Sequence, residues 1–488
     1  MLFPRAVLSV LALASCAFAH EMAVDAVKDA ELYKSGKMHE MIMAKKFVRP
    51  YYIFVFSKAA GAYKSEQYPE LGFVPCIDGL ATAIKGDANN TFRCDNVDLY
   101  HFLSHSALGS TTGEGSSSWG WTSDDGREFI AFGQADGAAF IEILPEGKMS
   151  YLGRLPTYSV NAIWREIRAY KHYMVIGSEA QGHNIQIFDM KKLLTIDPKK
   201  PVTFDKEKDC TGIFKDLPSG RSHTVSINEA TGFAYANGAA PRTSACKAGL
   251  IAIDLSDPSN PTSPGCASED GYVHDAQCVV YNGPDTAYNG REICYGYNED
   301  TLTIYDMTDK TAPAILSRTS YTGASYTHQG WLLDATYQEY LLMDDEYDEY
   351  DGAAPAADGH PVTYIWNIAN LSAPVQTGYY KSSAYSIDHN QYIKDGVSYQ
   401  SNYGAGLRIY DVSSIPRDPT GGGVKELGFF DVYPEDDGEV NGGVIDFVGS
   451  WSSFAYLKEY VFVNTIERGA FLVKRTSTSS GGNGTRKG

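Results

Sequence analysis

The chain repeats one pattern of apolar and polar residues seven times between residues 128 and 475. Each repeat has a short apolar run, a polar turn rich in Gly, Asn and Asp, and a second short apolar run. The stretches "REICYGYNEDTLTIYDM" and "YVFVNTIERGAFLVKR" are clear examples. Short apolar runs bounded by turn residues predict β-strands joined by hairpins.

The spacing of the repeats predicts the architecture. They recur about every fifty residues, which is typical of an array of supersecondary units. Several hairpins continue through a proline turn, such as "DPSNP", "DKTAP" or "NLSAP", into a further strand. With an inner strand before each hairpin, the unit has four strands, and seven such units predict an all-β, seven-bladed β-propeller. A linear β-solenoid fits less well, because its repeats are usually shorter.

The two ends of the array predict how the ring closes. The last repeat stops near Arg475 without an outer strand, whereas "NVDLYHFLSH", ahead of the first repeat, is a strand without a partner. Pairing the two would remove two exposed sheet edges, so we predict that the segment from Val97 to Leu103 closes the ring. Further upstream, "AELYKSGKMHEMIMAKKF" has helical spacing and is predicted to form a surface helix.

The N-terminus has the pattern of a secretory signal peptide. Arg5 precedes a short apolar core, and Ala17-Phe18-Ala19 forms a small-residue cleavage pattern. The core is too short to span a bilayer, and the C-terminal tail is polar. We therefore expect a secreted protein without a membrane anchor, either extracellular or in the cell wall. The predicted domains are a signal peptide at 1–19, an N-terminal helical segment at 20–70, the propeller at 71–475 and a disordered polar tail at 476–488.

Composition supports this interpretation and excludes one class of partner. The net charge is −19, and no long basic run occurs, which argues against binding to nucleic acid. The 34 Tyr and 47 Gly residues suit a chain of many short strands and turns. Sequons at Asn89, Asn370 and Asn483 predict a glycoprotein on the secretory route.

The cysteines predict three disulfides. Removal of the signal peptide removes Cys16, and seven cysteines remain; an oxidising compartment then favours three pairs and one odd thiol. Cys278 and Cys294 lie at similar distances from a shared turn, which places them opposite each other on neighbouring strands. The predicted pairs, with Cys210 free, are Cys76–Cys94, Cys246–Cys266 and Cys278–Cys294.

The entry positions of the inner strands predict a site. When the repeats are aligned by distance to the following turn, these positions are Trp119, Trp164, His223, His274, His328, His389 and Trp451. Because antiparallel strands alternate in direction, the start of an inner strand and the hairpin between strands two and three lie on the same face. That hairpin carries Glu179 in blade two and Asp344, Asp345 and Glu346 in blade five. We expect the acids beyond Asp345 to form a solvated loop.

These side chains would surround one mouth of the central channel, and several chemistries fit such a site. Imidazoles and carboxylates that converge can bind a divalent metal ion, for which His223, His274, His328 and His389 are the candidate ligands. The same groups can act as general base and acid, and the Trp faces can contact a sugar ring or another ligand. The alternative is structural: a histidine that recurs in a repeat can bridge backbone groups of adjacent blades, and Trp can pack between blades.

The sequence also resembles a known family. "NVDLYHFLSH", "GYVHDAQCVVYNG", "REICYGYNEDTLTIYDMTDK", "SYTHQGW" and "DHNQYI" are similar to motifs of the choice-of-anchor B family, extracellular proteins of LVIVD-type repeats, and are most similar to its fungal secreted members. The resemblance runs from about Cys76 to Lys474. It implies a propeller fold and an extracellular location, and it implies no reaction.

These observations favour a secreted binding or scaffold module that binds a small ligand, a glycan or an extracellular protein at the mouth of its channel. The alternative is an extracellular hydrolase or lyase, acting on a polysaccharide or an ester with mouth histidines and Glu179 or Asp345. A third hypothesis is a structural wall or matrix protein, in which the histidines have no ligand.

Overall fold

A computed structural model describes residues 21–42 and 64–476, and in it the chain forms a ring of seven β-sheets. The predicted seven-bladed β-propeller is therefore confirmed. The predicted signal peptide, the tail beyond Thr476 and the sequon at Asn483 lie outside the described residues and stay predictions. The other two sequon residues, Asn89 and Asn370, are exposed.

The first four blades follow one another along the chain. From the inside outwards, blade one contains Gly115–Thr122, Glu128–Gln134, Gly137–Leu144 and Lys148–Pro156. Blade two contains Arg165–Tyr170, Tyr173–Ser178, Ile185–Asp189 and Gly212–Phe214. Blade three contains Thr224–Asn228, Phe233–Asn237, Leu250–Asp254 and Cys266–Ala267. Blade four contains Asp275–Val280, Glu292–Tyr297, Leu302–Asp306 and Ala314–Tyr321.

The remaining blades complete the ring. Blade five contains Thr327–Leu332, Tyr340–Asp345, Val362–Asn367 and Val375–Lys381. Blade six contains Gln391–Lys394, Val397–Ser401, Leu407–Asp411 and Lys425–Phe430. Blade seven contains Ser450–Phe454, Val461–Thr465, Gly469–Arg475 and the early strand Val97–Ser104. Three blades have added outer strands. Blade one is extended by Val202–Thr203, blade four by Glu21–Met22, and blade six by Thr91–Asp95 followed by Leu80–Thr82.

Helices are short and lie between the strands or before them. Those with defined bounds are Ala26–Lys28, the π-helix Asp29–Lys34, Ser65–Gln67, Ala88–Asn90, Met190–Thr195, Thr286–Tyr288, Asp348–Asp351 and Pro434–Asp436. Within the described ranges, no helix is long and apolar enough to cross a membrane.

The ring closes as the sequence predicts. Strand Val97–Ser104 pairs antiparallel with Gly469–Arg475, with Phe102 opposite Phe471. The closing strand thus supplies the outer edge that blade seven lacks, and the last blade becomes four-stranded.

Blades pack face to face, which explains why many strands are apolar without alternation. Every residue of Tyr340–Asp345 and of Leu302–Asp306 is buried, because each strand has a neighbouring blade on both faces. Between blades four and five, for example, Tyr297, Leu341 and Trp366 share one apolar cluster. The core is therefore a series of layers between blades.

The three disulfides have the predicted pairing. The structure contains Cys76–Cys94, Cys246–Cys266 and Cys278–Cys294, while Cys210 is a free thiol. Cys278 and Cys294 are direct partners in the antiparallel ladder of blade four, which is the register that the sequence predicts.

The N-terminal segment is helical, as predicted, but it does not lie as a surface helix; residues 43–63 of the predicted segment lie outside the described residues. A π-helix, Asp29–Lys34, and a helical stretch at 37–42 meet at Gly36, which has a φ of +79°. The segment is not a plain surface helix, since Tyr33, Met38 and Ile42 are buried against Tyr326 and Tyr347 of blade five. Residues 21–42 therefore cross from the outer edge of blade four to the hairpin face of the ring. We call residues 29–42 the cover segment.

Candidate functional site

Four histidines from consecutive blades meet at one mouth of the central channel. His223, His274, His328 and His389 each lie within two residues of the start of an inner strand, in blades three to six. The ring centres of successive histidines are 4.1, 4.3 and 4.4 Å apart. The structure thus places the four predicted imidazoles in one arc, which we call the histidine arc.

Two of these imidazoles are oriented by backbone carbonyls of the next blade. Nδ1 of His274 donates to the carbonyl oxygen of His328 at 2.8 Å, and Nδ1 of His389 donates to the carbonyl oxygen of Trp451. A neutral imidazole that donates from Nδ1 carries its lone pair on Nε2. These bonds link adjacent blades, as the structural alternative expects, and they also define Nε2 as the ligand atom of each ring.

Carboxylates orient the other two imidazoles. Nδ1 of His328 lies 2.9 Å from Oδ1 of Asp344, and Nδ1 of His223 pairs with Glu179. Burial is the largest single effect on the pKa of Glu179 and raises it, but the charge and hydrogen bond of His223, together with the charges of His39 and Arg221, outweigh burial and lower the pKa to about 2. Glu179 is therefore an ionised partner of the arc. A carboxylate on the second nitrogen of an imidazole is the arrangement that supports metal-binding histidines.

Glu346 brings a carboxylate to the Nε2 side of the arc. Its carboxylate accepts a hydrogen bond from the Tyr403 hydroxyl and lies 3.6 Å from Nε2 of His389. One ligand atom each from His274, His328 and Glu346 lies within 4.8 Å of the other two. The expectation that acids beyond Asp345 form a solvated loop is wrong, because Glu346 is 0% exposed. The sequence feature that could have indicated a site residue is the position of Glu346 directly after the second strand of blade five.

The mouth is narrow. The cavity lined by the histidine arc, Trp164 and Trp451 has a volume of about 20 Å³. A cavity of roughly 10–15 Å³ holds one water molecule, so this space fits an ion or a water molecule and is too small for a sugar ring.

The cover segment narrows access further. Nδ1 of His39 lies 3.0 Å from the Tyr326 hydroxyl, and its ring centre is 6.5 Å from that of His223. Arg242 of blade three donates to the carbonyl oxygen of Tyr33 at 3.1 Å. Sequence reasoning missed His39 and Arg242, since neither belongs to the repeated pattern.

Asp345 does not join the histidines. It accepts hydrogen bonds from the backbone of Ser325 and Tyr326 at 2.8 Å each and from the Tyr321 hydroxyl at 2.6 Å. Successive side chains of a strand point to opposite faces, so Asp344 faces the arc and Asp345 faces the turn before blade five. Asp345 is therefore a structural acid and not a site residue, and the carboxylates that approach the histidines are those of Asp344 and Glu179.

Trp119 does not lie at the histidine mouth either. Trp164 and Trp451 line the narrow cavity with the arc, and both lie within two residues of a strand start. The inner strand of blade one begins at Gly115, so Trp119 lies four residues further along, about 13 Å at the rise of a β-strand. The alignment by turn distance failed there because this strand is longer than most other inner strands.

Trp119 instead lines the opposite mouth of the channel. There the ends of the inner strands surround a cavity of about 620 Å³, with Trp121 and Trp331 also on its wall. The guanidinium of Arg168 lies 4.5 Å from the Trp119 ring centre. Small-molecule sites commonly have volumes of about 300–1,000 Å³, so this wide mouth has room for a ligand that the narrow mouth lacks.

Comparison with known proteins adds no family. No family model matches the chain, and no curated protein matches it. Among solved structures, the computationally designed Ika8 protein aligns with 84% of this chain and 100% of its own, at 10% sequence identity and a TM-score of 0.44. A likeness at this level supports no statement about function.

Proposed function

We propose that this protein is a secreted binding propeller that holds a divalent metal ion at its narrow mouth through His274, His328 and Glu346. One observation carries the metal site: ligand atoms from these three residues lie within 4.8 Å of one another. All three side chains are buried, and His274 and His328 line the small cavity, which matches an ion better than a larger ligand.

The donor set favours a borderline metal ion. Two imidazoles and one carboxylate suit Zn²⁺ and related transition metals, and three protein ligands leave a further coordination position. Both imidazoles already donate Nδ1–H to fixed acceptors, so their Nε2 atoms are oriented before an ion binds. The structural alternative explains the Nδ1 bonds, and a metal ion would account in addition for the approach of the Glu346 carboxylate to the Nε2 side.

An extracellular location is part of the proposal. Three disulfides are typical of an oxidising compartment, and the signal-peptide pattern and the exposed sequons at Asn89 and Asn370 agree with it. The resemblance to fungal secreted members of the choice-of-anchor B family supports the same location. The proposal includes the cell wall as a destination of the secreted chain.

Metal analysis tests the narrow mouth. We expect the purified, full-length protein to bind one Zn²⁺ or Mn²⁺ ion after treatment with a chelator. His274→Ala and His328→Ala should each weaken binding at least about tenfold, because even supporting residues contribute that much. The matched control is His172→Ala, since His172 lies on a turn at the opposite face and its loss should leave metal affinity unchanged.

The same measurement separates the alternatives. If wild-type protein binds neither ion and His328→Ala lowers Tm by many degrees, the histidines are packing residues and the metal site is wrong. Hydrolysis in a screen of polysaccharides and esters, lost in His274→Ala but kept in His172→Ala, would favour the hydrolase or lyase. In such an enzyme Asp345 would not be the catalytic acid, because its carboxylate binds the turn before blade five.

A second candidate function concerns the wide mouth, where a specific observation favours a glycan. Three partly exposed Trp rings line one cavity of about 620 Å³, and Lys171 and Glu229 are exposed at its rim. Flat apolar faces beside polar groups suit sugar rings, which have an apolar face and hydroxyl edges.

A glycan array followed by affinity measurements tests the wide mouth. Trp331→Ala should weaken binding of a selected glycan by about thirtyfold, the factor that corresponds to a loss of about 2 kcal/mol at an aromatic anchor. Phe73→Ala is the control. The side chain of Phe73 is 57% exposed, and it lies at the outer edge of blade seven, away from the wide mouth. Equal binding by wild type and Trp331→Ala would rule out this mouth as the glycan site.

A further inference from the structure

A second group of acidic side chains lies between blades five and six. Asp348 and Glu349 belong to the helical turn Asp348–Asp351 in the long hairpin of blade five, and Asp388 precedes the inner strand of blade six. One carboxylate oxygen from each lies within 4.8 Å of the other two. The exposed fraction is 0% for Asp348 and Asp388 and 5% for Glu349. Three carboxylates buried this close together repel one another unless something compensates their charge.

The hydrogen bonds of this group are incomplete. Oδ2 of Asp348 accepts from the Tyr364 hydroxyl at 2.8 Å, and Oδ2 of Asp388 accepts from Nε2 of Gln400 at 3.4 Å. In the described part of the chain, the Oδ1 atom of each Asp and both carboxylate oxygens of Glu349 have no well-aligned hydrogen-bond partner, although the carboxyl groups of Asp348 and Glu349 interact with each other. Native proteins leave few buried polar groups in this condition, and each such group requires an explanation.

The surroundings of these three carboxyl groups disfavour negative charge. All three carboxyl groups are buried, and Asp345, which is also buried, adds a further carboxyl group close enough to repel them. A bound cation would remove this cost, because it supplies the missing positive charge and the missing partners at once.

We propose that Asp348, Glu349 and Asp388 bind one Ca²⁺ ion, which ties the hairpin of blade five to the start of blade six. All the ligand atoms are oxygen, which selects a hard cation over the borderline metals that imidazole binds. Ca²⁺ fits better than Mg²⁺, since Mg²⁺ usually keeps several water molecules and this site is buried. The proposal does not depend on the metal site at the histidine arc.

Calorimetric titration of the full-length, chelator-treated protein with CaCl₂ tests the site. The titration should extend to about 10 mM, an order of magnitude above the weakest Kd of extracellular Ca²⁺ modules. We expect one Ca²⁺ per chain and a Tm that rises with CaCl₂. Glu349→Gln and Asp388→Asn should each weaken binding about tenfold or more. Asp351→Asn, an exposed acid in the same helical turn, should leave affinity unchanged.

Wild-type protein alone can overturn the proposal, so a variant that fails to fold does not obscure the result. Absence of Ca²⁺ binding at this concentration, with an unchanged Tm, would show that the three carboxyl groups are stable without a cation. Ca²⁺ binding that survives Glu349→Gln but is lost in His274→Ala would place the ion at the histidine arc and would also contradict the proposal. Retention of Ca²⁺ in His274→Ala, together with loss of Zn²⁺, would support two independent sites.

Discussion

Replacing Phe471 with alanine should lower the free energy of unfolding by about 3–5 kcal/mol, the usual cost of removing a buried aromatic ring from a core. Phe471 lies on the strand that pairs with the closing strand, directly opposite Phe102. It is 0% exposed, and its ring centre lies 4.5 Å from that of Phe102 and 5.4 Å from that of Phe92.

The size of the effect follows from the position of this ring. Phe102 and Phe92 come from strands that precede the first blade, whereas Phe471 belongs to the last blade. The three aromatic side chains therefore join the strands ahead of blade one to the last blade. The cavity left by alanine would weaken the closure of the propeller. If neighbouring side chains partly fill the cavity, the loss of unfolding free energy should be near the lower end of the range of about 3–5 kcal/mol.

Urea unfolding followed by Trp fluorescence measures this loss. Val440→Ala is the control, because Val440 is 99% exposed and such a surface change is worth at most about 0.5 kcal/mol. An unfolding midpoint for Phe471→Ala close to that of the control would show that the aromatic cluster does not hold the ring closed.

Replacing Arg242 with alanine should cost a similar amount, about 3–5 kcal/mol, because it leaves a buried carboxylate without its partner. Arg242 binds Glu299 through both guanidinium NH₂ groups, at 2.7 and 2.9 Å, and Glu299 is 2% exposed. The guanidinium also lies 4.1 Å from the Tyr272 ring centre.

Arg242→Ala should also loosen the cover segment. Arg242 donates to the carbonyl oxygen of Tyr33 in the middle of that segment, so its loss removes one attachment of residues 29–42 to the mouth. We expect faster amide hydrogen exchange at Tyr33 and Met38 in the variant, with little change in blades one and two.

A double variant provides the matched control. Arg242→Met with Glu299→Gln removes both charges, and we expect it to recover much of the stability lost in Arg242→Ala, since replacing a buried ion pair by neutral groups is often nearly neutral. Equal loss in the single and double variants would mean that the side-chain volume of Arg242, rather than its charge, stabilises this face.

The sequence by itself determined the features that depend on local or repeated patterns. Seven hairpin units specify seven blades, since each unit buries its faces only against its neighbours. The closing strand followed from the missing outer strand of the last blade. The Cys278–Cys294 pair followed from equal distances to one turn, because antiparallel pairing places such residues opposite each other.

Part of the candidate site followed from the same repetition. His223, His274, His328 and His389 occupy equivalent positions in four consecutive blades, and Glu179 follows the second strand of blade two, as its hairpin predicts. Equivalent positions of a closed ring point to its axis, so their convergence required no knowledge of contacts between blades.

Only the tertiary structure decided the rest, because those features depend on register and on contacts distant in sequence. Trp119 lies four residues past the start of the longest inner strand, which takes it to the opposite mouth, and the alternation of strand faces separates Asp344 from Asp345. Glu346, within an acidic run typical of a solvated loop, is buried beside His274 of blade four and beside His389 and Tyr403 of blade six. The cover segment has no repeat to define its place, and its position over the mouth rests on contacts such as that between Tyr33 and Arg242, 209 residues apart.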